Sequence, residues 1–155
     1  MNRYGPLIAV TDALAVGDPG RNHLRLTPEA VIVREGVESR GILPWDRVEE
    51  IVLDVPTTRF RLPGLVGTVV LGALTAVMLT DPGVEPDDGS VRVTVDGTPR
   101  NVPLSRHHVG GYWSPTVVGA HRLLAHLIAN PAQRALLRRP EPLIDIAAQL
   151  ARSSV

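Results

Sequence analysis

Apolar and polar positions follow a two-residue period through most of the chain and a period near 3.6 after Gly110 and Gly111, so strands are expected first and helices last. Residues 23–26 and 30–35 read as strands, the second rich in β-branched side chains, and Thr27-Pro28-Glu29 between them suits a turn in which proline presets the backbone angle. The two segments read as a hairpin. Residues 40–43 give a short third strand, and 44–48 a compact turn in which Trp45 is expected to plug one end of the core. Over 50–55 the alternation is strict, with Ile51, Leu53 and Val55 on one face and Glu50, Val52 and Asp54 on the other. A second hairpin follows from Val91, Val93 and Val95 alternating with Arg92, Thr94 and Asp96, because Asp96-Gly97 is a strong short-range turn signal. Its return strand, 98–104, contains Pro99 and Pro103, which cannot donate ladder hydrogen bonds, so it belongs at an edge or at a bulge.

The later period predicts a helix over 114–129. Ser114-Pro115 is a good start, and Val117, Val118, His121, Leu124, Leu127 and Ile128 form an apolar stripe holding one histidine. Asn130-Pro131 ends that helix and opens a short one through Arg138. Beyond Pro140 and Pro142, Leu143, Ile146, Ala147 and Leu150 recur at helical spacing. The expected organisation is an α+β chain with a β-rich domain over 1–130 and a helical extension over 131–155 packed on it.

Residues 62–80 are uncharged, a length within the range that spans a bilayer. Gly64, Thr68, Gly72 and Ala76 repeat as a small-residue face, and the flanks differ in charge, with Arg59 and Arg61 before and Asp81, Glu85, Asp87 and Asp88 after. Against a span, Pro63, three Gly and three Thr dilute the hydrophobicity, and a crossing here would part the two strand groups. A helical insertion joining those groups is preferred, with a single membrane span as the alternative; an exposed face here would serve a homo-oligomer, a protein partner or a membrane surface.

Leu26-Thr27-Pro28, followed by Trp45, Val48 and Ile51, resembles the pattern of bacterial pleckstrin-homology-like domains, in which a Leu-Thr-Pro turn precedes short strands and a Trp leads into the next strand. The resemblance covers about a fifth of the chain. It implies a bent antiparallel β-barrel or sandwich closed at one end by the helix over 114–129. It implies no particular activity, since one fold hosts many functions. The uncharged stretch and the tail after Asn130 depart from that pattern.

Composition narrows the chemistry. Cysteine is absent, which removes disulfides, thiolate metal sites and a thiol nucleophile. With one Phe, two Tyr and two Trp there are few platforms for stacking bases, so no nucleic-acid partner is expected. The net charge is zero but polarised: residues 1–96 hold fourteen acids and nine Arg, residues 97–155 two acids and seven Arg. Either the tail packs against the acidic half or it offers an anion-binding face.

The run 106–113 joins Arg106, His107, His108, Gly110, Gly111, Tyr112 and Trp113, and a Gly pair can aim backbone N–H groups at a phosphate or carboxylate. The plainer alternative is that Tyr112 and Trp113 pack a strand-to-helix junction. Arg59 and Arg61 share one face of a strand and suit a head group or phosphate, unless they pair with Glu49, Glu50 and Asp54. His107, His108, His121 and His126 are poorly spaced for a metal, and no nucleophile elbow, P-loop, dinucleotide fingerprint or metalloprotease motif occurs. No cofactor, metal or catalytic residue is therefore expected. The apolar run 7–10 is too brief for a signal peptide, so the expected place is the cytoplasm or its membrane face. The expected function is a non-catalytic interaction module, the alternatives being a single-span membrane protein and a ligand-binding protein or enzyme using the 106–113 loop.

Overall fold

The computed structural model describes residues 2–58, 89–106 and 111–153. The stretch 62–80, with the helix, span or oligomer contact expected of it, lies outside them. Six strands form an antiparallel meander in chain order: β1 (Arg3–Tyr4), β2 (Leu7–Val10), β3 (Ala13–Gly17), β4 (Asn22–Leu26), β5 (Ala30–Glu35) and β6 (Glu38–Pro44). A single 3-10 turn, Trp45–Arg47, leads into β7 (Val48–Asp54). After β8 (Thr57–Thr58), β9 (Gly89–Val95) pairs with β7 on one side and β10 (Thr98–Leu104) on the other, so β9 is central in a three-stranded antiparallel sheet. Strand β11 (Tyr112–Trp113) pairs in parallel with β8, and then come α1 (Ser114–Ala129), a 3-10 helix (Pro131–Arg138) and α2 (Glu141–Arg152).

Local chemistry accounts for these elements. Asp96 and Gly97 both take positive φ, 50° and 78°, the turn whose twist matches a tight hairpin. The prolines of β10 lie in an outer strand, where a missing N–H costs no ladder bond. Ile51, Leu53 and Val55 are buried while Glu50 and Asp54 are exposed, as the alternation requires. In α1 the stripe is wider than the sequence suggests: Val118 is exposed, and Ala120 and Leu123 are buried because α2 covers a second face.

The two sheets share one core cluster that runs from Leu7 and Leu14 through Ile51 and Val93 to Leu124 and Ile144. They meet at one corner through Ser105, which is fully buried. Its N–H donates to the Asn22 carbonyl (2.9 Å), its carbonyl accepts from Asp18 N–H (2.9 Å), and its Oγ accepts from Asn22 N–H (3.3 Å). The closed barrel of the sequence reading is not formed among the described residues. Between β6 and β7 the chain turns through the 3-10 helix, whose buried Trp45 donates Nε1–H to the Thr27 carbonyl at 2.7 Å.

Arg134 braces this turn, its guanidinium 5.0 Å from the Trp45 ring centre. It donates to the carbonyls of Leu127 (2.8 Å) and Ile128 (2.9 Å), satisfying acceptors that the end of α1 leaves open. Two tail cations also meet acids of the first half, Arg134 with Asp46 at 4.0 Å and Arg138 with Glu29 at 3.5 Å. Helix α2 lies close on α1 because Gly119 has no side chain; a Cβ there would sit 2.5 Å from the Ala147 carbonyl oxygen. Arg122 adds a bond to the Leu150 carbonyl at 2.6 Å. Among the described residues no helix is long and apolar enough to cross a membrane.

Candidate functional site

The structure distributes the expected site residues unevenly. Arg59, Arg61, His107 and His108 lie outside the described residues. Arg106 is half-buried just beyond β10. Tyr112 is 1% exposed and belongs to the core, and its N–H donates to the Pro56 carbonyl at 2.8 Å. Trp113 is half-buried, and its carbonyl accepts from the Thr116 hydroxyl. Gly111 has a packing reason, since a Cβ there would come within 2.9 Å of the Thr57 carbonyl carbon. On the described side of the loop, then, Gly111, Tyr112 and Trp113 form the strand-to-helix junction, with Tyr112 turned into the core.

A different place concentrates accessible apolar surface. Between β7 and the second half of α1 runs a groove of about 510 Å³, lined by Glu49, Glu50, Ile51 and Val52 from the strand and His121, Ala125, Ile128 and Ala129 from the helix. The strand contributes it because, among the described residues, β7 is an outer strand whose other side is paired to β9. The helix contributes it because small residues, Ala125 and Ala129, follow His121 at four-residue steps and leave room above the sheet edge. Glu49 and Glu50 are exposed at the rim, giving the groove an acidic margin.

His121 joins the two walls. Its Nε2 accepts the Leu53 backbone N–H at 2.8 Å, so the ring is neutral and its proton sits on Nδ1. Burial holds its pKa below the ordinary histidine value of 6.5. A protonated ring could not accept that bond. The other described imidazoles are engaged elsewhere. His23, 3% exposed, directs Nδ1 at the Arg21 carbonyl (3.1 Å), and His126 meets the Asn130 side chain at the end of α1 (3.2 Å). Among the described residues no three His, Asp or Glu side chains are grouped to hold a metal.

Comparison with known proteins finds no matching family model, no similar curated protein and no similar solved structure. The site is therefore read from its own chemistry. In the sequence His121 is the one polar member of an apolar stripe, and that pattern is the available signal. It could not show that the stripe faces the open edge of a strand sixty-eight residues earlier.

Proposed function

We propose that this chain is a non-catalytic interaction module of pleckstrin-homology-like type, and that the groove between β7 and α1 takes an extended segment of a partner protein. The carrying observation is the combination of an outer strand with an apolar helix wall beside it. An extended segment laid along β7 gains main-chain hydrogen bonds from the strand edge, and alternate side chains gain the apolar wall. Charge sets the partner's composition. Glu49 and Glu50 at the rim favour arginine or lysine on the side chains that point away from α1, and Ala125, Ile128 and Ala129 favour valine-sized groups toward it.

An anionic surface as partner has less support. Arg122 spends a donor on the Leu150 carbonyl of α2, Arg134 spends donors on the last carbonyls of α1, and Arg138 faces Glu29. The test is a titration of the ¹⁵N-labelled chain with an acetylated, amidated hexapeptide of alternating arginine and valine. The expected result is saturable shifts at residues of β7 and α1, with none from a glutamate-valine peptide. Shifts confined to the arginines of the tail, or binding to phosphatidylserine vesicles without groove shifts, would overturn the reading.

A further inference from the structure

In an antiparallel pair, alternate residues turn their N–H and C=O away from the partner strand. Leu53 is such a residue in β7, because its N–H leaves the β9 side and ends on His121 Nε2. Ile51, two residues earlier, turns the same edge outward, into the groove that it lines. The register is regular from Glu50 to Asp54, the one irregularity lying between Val48 and Glu50. Thus the two outward-facing positions at this end of β7 are not equivalent: the Leu53 donor is taken by a side chain of α1, whereas Ile51 faces the groove.

We propose that His121 is the specificity-determining residue of the groove, acting as a stop that ends strand pairing at Ile51 and so fixes the register and length of the docked segment. This rests on the strand-docking reading above. A segment lying along β7 pairs with Ile51 and finds the next donor occupied, and the imidazole stands across its path toward Asp54. A partner is thereby selected whose extended stretch ends, turns or carries a small residue where it reaches the ring.

The test follows single amides by hydrogen exchange in the wild-type chain, His121→Ala and His121→Gln, each with and without the arginine-valine hexapeptide. Without peptide, Leu53 in the wild type should exchange at least about tenfold more slowly than Ile51, the protection expected of a hydrogen bond near 1.4 kcal/mol. That protection should vanish in His121→Ala and return in His121→Gln, whose side-chain oxygen can accept. With peptide, wild-type Ile51 should gain protection while Leu53 stays unchanged; in His121→Ala both should gain. Docking in which wild-type Leu53 gains protection together with Ile51, or Leu53 exchange unaffected by His121→Ala, would overturn the role of His121 alone. No gain at Ile51 in any variant would overturn the strand-docking reading, and this inference with it.

Discussion

Among the described residues strands β6 and β7 are both outer strands, yet their edges are treated in opposite ways. On β6, Arg40 pairs with Glu35 at 2.6 Å and Glu38 at 3.2 Å, Pro44 ends the strand without an N–H, and the pairing to β5 shifts register between Val33 and Arg34. Charge, proline and a bulge are the devices that keep an exposed edge from pairing with another chain. On β7 the edge is sheltered by a helix, and one imidazole closes one of its donors. The difference teaches that the first edge is defended by its own charge, proline and bulge, whereas the second is covered in part by a helix, which is what the proposed docking of a segment under α1 requires.

The sharpest way to break this contrast is to loosen the helix. Leu124 lies one turn beyond His121 and is fully buried, so Leu124→Ala removes core contacts from the wall that shelters β7. A loss of about 2–5 kcal/mol is expected, read from the urea unfolding midpoint. A shift too small to measure would mean that α1 is not held by this packing. Somewhat smaller is the effect of Gly119→Val. Its Cβ would lie 2.5 Å from the Ala147 oxygen and 2.9 Å from Tyr4 Cε1, forcing α2 away from α1 at a cost of about 1–3 kcal/mol. If the variant unfolds at the parent midpoint, α2 is not braced on α1 at this crossing.

These two sites also show what the sequence could and could not reveal. Strands with one wet face were legible: β7 and β9 alternate, and Asp96-Gly97 announces its turn. Strand β3 was not, because Ala13–Gly17 is buried at all five positions, and a strand without a wet face has no two-residue period to detect. β1 and β2 escaped notice with it. The helices were legible from their caps and stripes, but the second buried face of α1 depends on α2, a tertiary fact. The groove was harder still. It is a relation between an edge and a helix far apart in the chain, whereas the loop at 106–113 attracted notice because its unusual residues are contiguous.

The pH dependence of folding tests the closed edge through its imidazole. Burial is the main influence holding both His23 and His121 below the ordinary value of 6.5, so the unfolded chain takes up these protons first as pH falls. The stability they contribute is complete above about pH 6.5 and is lost as pH drops through their folded values. His121→Gln keeps an acceptor for Leu53 and cannot titrate, so its unfolding midpoint should fall less between pH 7 and pH 5 than that of the parent. Parallel curves for the two proteins would show that His121 is not sheltered.

The smallest expected change in stability carries the clearest statement about the edges. Arg40 is exposed, and exposed ion pairs contribute little, so Arg40→Val should leave the unfolding midpoint where it is. What it removes is a charge on β6 beside Ile42, which is 64% exposed and opposite Ile32 on β5. Sedimentation velocity over a rising concentration series should then show self-association absent from the parent. The same replacement at Glu50 on β7 should not, because α1 rather than charge guards that edge. If Glu50→Val associates as readily as Arg40→Val, the helix is no shield, and a groove open to any strand could not be selective for one.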